Sequence, residues 1–484
     1  MTPAAIITVI SAYFAVILFI SWFTGRKSDN AGFFSGNRKQ SWYVVAIAMI
    51  GSAMSGVTFV SVPGMVATSG FGYMQMALGF IAGQIVIAFV LIPLFYRMNL
   101  VSIYGYLENR FGLSSYRTGA WFFFISKMLG ASVRLYLVCI ALQMMVFSPL
   151  GLPFIVNVAV TVLILIAYTF RGGVKAVIWI DFLKTFCMIV SIALCTIFIS
   201  KSLGFTFGSM CEAVAGSDMS RIFYFDDPDH PQYFFKQFFG GMFTLIAMTG
   251  LDQDMMQRSL TCKNFRDSQK NIITSALLQT VVIFLFLTLG VLLYFFAGAN
   301  GIDATGDTLF ATSGLLPAVV GIVFVVGLVS CSYAAGGSAL TALTTSFTVD
   351  ILGTAGKSEK EVKSMREKVH IGMAVCMGLT IAVFNFINNT SAIDAVYKLA
   401  SYTYGPILGM FAFGILTKRR TKDRCVPWIS IAAPAVCLVL QLNSERWFGG
   451  YQFSYELLII NALLTFIGLY LFSSKADVLR AAKR

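Results

Sequence analysis

The chain has 484 residues, of which 57% are hydrophobic and 12% charged, against about 25% charged in an ordinary soluble domain. Nine Cys without a CxxC pair exclude a disulfide scaffold, and only Cys211 falls in a predicted external loop. The formal net charge of +13 sits between apolar runs, which excludes a nucleic-acid surface and leaves a polytopic membrane protein.

A membrane helix needs about 20 mainly apolar residues. In chain order, that criterion predicts spans at 4–23, 42–69, 71–97, 118–147, 152–170, 176–200, 233–256, 271–298, 314–351, 369–388, 396–417, 425–443 and 452–473. The result is an all-α protein of thirteen transmembrane helices, an odd number that places the termini on opposite faces. The first span is long and has no basic region before it, so no cleavable signal peptide is expected.

Most of the 35 Lys and Arg fall on one set of loops. They include Arg26, Lys27, Arg38 and Lys39, then Arg97, Arg110 and Arg117, then Arg171 and Lys175. Arg258, Lys263, Arg266 and Lys270 follow, and the 357–368 and 418–424 loops and the C-terminal tail add more. The opposite loops carry Asp218, Asp226, Asp227 and Asp229. Basic loops stay in the cytoplasm, so the N-terminus is expected outside and the C-terminus in the cytoplasm, in the cytoplasmic membrane.

Lys127, Arg134, Asp181 and Lys184 fall well inside predicted spans. A charge there is costly unless paired or wetted, which makes each a functional candidate. Lys127 lies near a cytoplasmic end and is expected to snorkel to the surface. The two His, His230 and His370, fall in or beside loops and neither is read as a ligand.

Two spans carry helix-breaking runs. The second contains Gly51-Ser52-Ala53-Met54-Ser55-Gly56 with Thr58, Ser61 and Pro63-Gly64. The seventh contains Gly240-Gly241, Thr244 and Thr249-Gly250-Leu251-Asp252-Gln253. Small residues also serve ordinary close packing. Each run, however, opens a block of five spans, 42–200 and 233–417, and polar groups there would be unsatisfied against lipid. The pattern predicts one transporter domain over 1–484: an extra helix at 4–23, a five-plus-five inverted repeat, and two closing helices within 425–473.

Several stretches resemble the sodium:solute symporter family. They are Ser41-Trp42 through Pro63-Gly64, Tyr168-Thr169-Phe170-Arg171-Gly172-Gly173 with Trp179 and Asp181, and Gln253-Asp254-Met255-Met256-Gln257-Arg258. Tyr106-Leu107-Glu108-Asn109-Arg110-Phe111 and Tyr404-Gly405-Pro406 add to the likeness, in the family's order. The resemblance implies a LeuT-type fold, alternating access, and sodium-driven uptake of sugars, amino acids, carboxylates, sialic acids, vitamins or inorganic anions.

The resemblance also exposes a departure. In the family, sodium is held by carbonyls of the first core helix, a carbonyl of the eighth, and two hydroxyls there, as a hard cation requires. The carried-over carbonyl positions are Gly51, Met54 and Cys331, and the hydroxyl positions fall on Ala334 and Ala335. A methyl group cannot coordinate sodium, so the expected metal site is degraded, although Ser332, Ser338 or Thr341 could restore one in a shifted register. The family usually has Gln where this chain has Lys184. Lys184 is nine residues past Lys175, about 13 Å along a helix, and shares a helical face with Asp181. Some amino acid–polyamine–organocation transporters of the same fold place a lysine ammonium in the sodium position. Two readings follow: Lys184 replaces the sodium ion with Asp181 as partner, which is favoured, or the pair only locks the helix. Coupling to sodium, to a proton through a desolvated lysine, or to no ion stays open.

The expected substrate residues are Ser52, Ser55, Thr58, Tyr73, Gln75, Arg134 and Gln253. Arg134 lies near mid-membrane, where its guanidinium could grip a carboxylate bidentately, an arrangement that resembles sialic acid members of the family. Pairing with helix-break carbonyls is the alternative. Asp252 could line the inner exit or join a cytoplasmic cluster with Arg258, and the cluster is favoured. The function expected is transport of a small polar, carboxylate-bearing solute, with conventional sodium symport and a transport-dead sensor as alternatives. A membrane enzyme would need clustered catalytic groups and a channel a ring-forming filter; the sequence suggests neither. A small-molecule substrate and the lipid bilayer are the expected partners, with no cofactor and a monomeric chain.

Overall fold

The computed structural model describes residues 3–26, 29–54, 56–302, 318–387, 392–449, 451, 453 and 455–474. Helices dominate because in lipid every backbone N–H and C=O must be satisfied within the segment. They are α1 (Pro3–Gly25), α2 (Trp42–Ala53), α3 (Gly56–Gly64), α4 (Tyr73–Arg97), α5 (Leu113–Leu142), α6 (Phe154–Thr169) and α7 (Gly173–Ser202). Then come α8 (Phe234–Gly250), α9 (Gln253–Ser259), α10 (Phe265–Ala299), α11 (Ala318–Ser346), α12 (Glu359–Ile387), α13 (Ala392–Leu416), α14 (Val426–Leu442) and α15 (Glu456–Leu471). Among the described residues, seven helices are each long and apolar enough to cross a membrane, and α8 with α9 forms one bent pair.

The exposed apolar residues, such as Phe19, Phe89, Leu163, Phe186 and Phe386, face outward where a soluble protein would place charge. They suit a lipid surface, because an exposed apolar belt has no hydration cost there.

Both expected breaks are present, and both are shorter than the small-residue runs that predicted them. Helix α2 continues to Ala53, Met54 takes an extended conformation (φ −89°, ψ 120°), and α3 starts at Gly56. Ser52 and Gly51 are therefore helical, and the chain leaves the helix at Met54. At the second break, Asp252 is extended (φ −101°, ψ 121°) and caps α9 by accepting from the Met255 N–H at 3.2 Å. The axis turns by 71° there.

Helix α7 packs against both α2 and α11, while α5 contacts α11 and α13. This brings both breaks, α5 and α11 around one interior space, with α7 packed on α2 and α11. Helices α4 and α8 meet through glycine. A methyl added at Gly241 would sit 2.5 Å from the Met76 carbonyl oxygen, and one at Gly83 would sit 2.7 Å from that of Met242. Gly79 is pressed just as closely on the Phe238 carbonyl. Small residues permit such backbone approach, which is what drives helix association where lipid removes the hydrophobic incentive. Gly241→Ala must part the helices, so it should cost about 1–3 kcal/mol. A lowered melting temperature of the detergent-purified protein is the expected reading, and an unchanged one refutes the close seam.

Candidate substrate and ion site

The two breaks line one cavity of about 110 Å³, room for several waters. Ser52, Met54 and Thr58 come from the first break, and Thr249, Asp252 and Asp254 from the second. Helix α5 contributes a stripe of Ser126, Lys127, Gly130, Ala131 and Arg134, and α11 contributes Ala335 and Ser338. Unpaired backbone at membrane depth is tolerated where it borders such a space.

A buried chain of charges runs inward from the cavity wall. Lys127 Nζ lies 2.7 Å from an Asp254 carboxylate oxygen and 3.1 Å from one of Asp252. Arg258 Nη2 lies 2.5 Å from Asp254, and its Nε lies 3.6 Å from Asp181. Ser52 Oγ donates to Asp181 at 2.6 Å, and the Tyr404 hydroxyl donates to Asp252. Lys184, fully buried, also acts electrostatically on Asp181. Each member is costly alone and tolerable only in company. Among the described residues, three carboxylates (Asp181, Asp252, Asp254) are ion-paired with two cations (Lys127, Arg258), and the Lys184 charge acts on Asp181.

Arg134 lines the cavity outside that network. Among the described residues it forms no ion pair. Of the charged residues that line the cavity, Lys127, Asp252 and Asp254 are paired with one another and Arg134 is not, an arrangement that leaves its guanidinium for an anion.

Lys184 sits against the first break. A methyl added to Gly51 would meet the Thr185 hydroxyl, lie 2.8 Å from the Asp181 carbonyl, and lie 3.5 Å from Lys184 Cδ. Only a residue without a side chain lets α2 settle onto this turn of α7. Thr185 fixes the contact by donating to the Ile47 carbonyl at 2.9 Å.

The structure relocates several expected site residues. Ser52, Thr58, Tyr73 and Arg134 line the cavity, as do Met54, Ala335 and Ser338. Ser55 and the side chains of Cys331 and Ala334 lie outside the described residues. Gln75 and Gln253 take structural roles instead. Gln75 is buried, donating to the Gln232 carbonyl at 2.8 Å and accepting from the Tyr224 N–H at 3.1 Å, so it ties down the 203–233 loop. Gln253, also buried, accepts from the Ile103 N–H at 3.0 Å and donates to the Val101 carbonyl at 2.9 Å.

Three charge assignments need correction. Lys127 does not snorkel: its side chain is 12% exposed and turned inward onto two carboxylates. Arg258 is no loop cation, because the bend at Asp252 carries α9 back into the protein, where Arg258 is 1% exposed. Asp252 consequently pairs with Lys127 rather than Arg258. His370 is likewise not a loop residue. It is buried between the Thr169 and Thr344 hydroxyls, at 2.8 and 2.9 Å.

Residues 33–424 match the Sodium:solute symporter family. The chain belongs to that family. Among its curated relatives, the sodium/sialic acid symporter NanT of Aliivibrio fischeri is 25% identical over 90% of this chain and 88% of its own length. SiaT of Proteus mirabilis, also a sodium/sialic acid symporter, is 24% identical over 88% of each chain. The human sodium/iodide cotransporter is 24% identical over 82% of this chain and 63% of its own length. A solved Na+-coupled sialic acid symporter in a substrate-bound outward-open state superposes with TM-score 0.82. It covers 97% of this chain and 99% of its own at 19% identity, which fixes the likeness of fold. As a member of this symporter family, the chain is a multi-pass membrane transporter of a small solute.

Proposed function

We propose that the protein carries a small carboxylate-bearing solute across the membrane by alternating access, with Arg134 as the carboxylate anchor. The observation that carries this reading is that, of the charged residues lining the cavity, Arg134 is the one that forms no ion pair among the described residues. The sodium/sialic acid symporters among the relatives support the same substrate class. Thirteen spans in a five-plus-five inverted repeat, with the N-terminus outside, complete the proposal; the two breaks meeting in one cavity support it.

Lys184 takes the place of the sodium ion in this proposal. Its stem rests against Gly51, its charge reaches Asp181, and Ala335 offers a methyl group where the family pattern calls for a hydroxyl. One observation favours conventional sodium symport instead: Ser338 lines the same cavity from α11 and could supply an oxygen from a shifted register. Uptake into proteoliposomes with and without an imposed sodium gradient separates the two readings. Flat uptake supports the lysine, and a steep rise supports sodium.

Arg134→Gln tests the anchor. A hydrogen bond to a charged group is worth about 1.5–3 kcal/mol, so the substrate dissociation constant should rise between about tenfold and a hundredfold. Equilibrium binding of radiolabelled sialic acid or lactate to the purified variant measures this, and wild-type affinity would sink the anchor.

A further inference from the structure

We infer that Lys127 is a second anion subsite, which receives the substrate as it leaves Arg134 toward the end of the protein where α5 begins. The inference rests on the reading of Arg134 as the carboxylate anchor. Lys127 and Arg134 are seven residues apart on α5, about 10 Å along the axis and close to one face. Both border the cavity, and Gly130 and Ala131 lie between them on the same wall. These small residues leave a path along the helix from one cation to the other.

The partners of Lys127 make it a site rather than a rivet. The two carboxylates that hold it have further partners of unequal strength. Asp254 also pairs with Arg258 at 2.5 Å, while Asp252 accepts from Tyr404 and from the Met255 N–H. An arriving carboxylate that draws the ammonium away leaves Asp254 with Arg258 and leaves Asp252 with two neutral donors. The exchange is uphill at Asp252 but strands neither acid without a hydrogen bond, the step that would otherwise be prohibitive. As Lys127 lets go of Asp252 and Asp254, α5 is released from the second break. Arrival of the anion and opening of the inner side thus become a single event. An apolar or cationic solute gains nothing at this point, so Lys127 would also reject such solutes at the exit.

The test uses the full-length protein in proteoliposomes with sialic acid and lactate as probes. Lys127→Met removes the subsite, and Lys127→Met combined with Asp254→Asn does so while easing the acidic excess, which covers the case in which the single variant fails to fold. Under this inference the double variant binds the transported probe from outside within about threefold of wild type, while its maximal transport rate falls at least about tenfold, a rate defect without a binding defect. Wild-type transport by the double variant would mean that Lys127 is only a lock, and would overturn the inference while leaving the Arg134 reading intact. Unaltered binding by Arg134→Gln, or accumulation of neither probe by wild type, overturns that reading and this inference with it.

Discussion

Lys184→Met should abolish uptake, lowering the initial rate by about a hundredfold or more, since a fixed charge at the centre of a membrane protein is retained at high cost and its loss is correspondingly severe. Wild-type uptake should be flat in sodium over the range in which a sodium-coupled relative saturates. The reasoning is local. Lys184 is fully buried and acts electrostatically on Asp181, which Arg258 Nε faces at 3.6 Å, and its stem packs on Gly51 beside the extended Met54. On the proposed reading, an ammonium there would supply the positive charge that otherwise comes from a bound cation, while staying attached to α7 throughout the cycle.

The stronger form of the test is a gain of dependence. Lys184→Gln with Ala334→Ser and Ala335→Ser removes the fixed charge and restores the two hydroxyls that a hard cation needs. Uptake by that triple variant should become sodium-dependent. If wild-type uptake climbs steeply with sodium and Lys184→Met transports normally, the surrogate is wrong.

Arg258→Met should produce the largest loss of stability. Arg258 is 1% exposed, holds Asp254 directly and faces Asp181. Removing one member of a buried ion pair costs about 3–5 kcal/mol, because the surviving charge has no water to turn to. Asp254 retains Lys127, so Asp181 bears most of the damage, with only Ser52 and Lys184 to compensate. Adding Asp181→Asn should therefore recover part of the melting temperature lost in Arg258→Met, measured by fluorescence-detected size exclusion after heating. A strictly additive double variant would show that the two residues are not coupled.

How much was legible in the sequence depended on whether a signal was local. Apolar length located the helices, and runs such as Gly51–Gly56 and Thr249–Gln253 located the breaks to within a few residues. Arg134, Asp181 and Lys184 stood out because each is a charge well inside an apolar run. Lys127 was misread because a lysine near a helix end has an ordinary explanation, and nothing on its own helix revealed the aspartates 125 or more residues away. A signal was nonetheless there: Lys127 and Arg134 share a helical face, and Asp254 and Arg258 form an i,i+4 pair. Arg258 was assigned to a loop because the 71° bend at Asp252, which returns α9 to the interior, has no counterpart in hydropathy. Gln75 and Gln253 looked like ligands because a polar side chain within an apolar run suggests a solute, whereas each satisfies backbone groups of a neighbouring loop.

The glycine seam between α4 and α8 bears on how such a protein can move. Interdigitated side chains absorb small displacements by changing rotamer, as in the sliding of packed helices. Where Gly79, Gly83 and Gly241 bring main chain against main chain, no such cushion exists, and any slide would lift the helices apart. These two helices must travel as one stiff plate, and the shear of the transport cycle is confined to surfaces where longer side chains can yield.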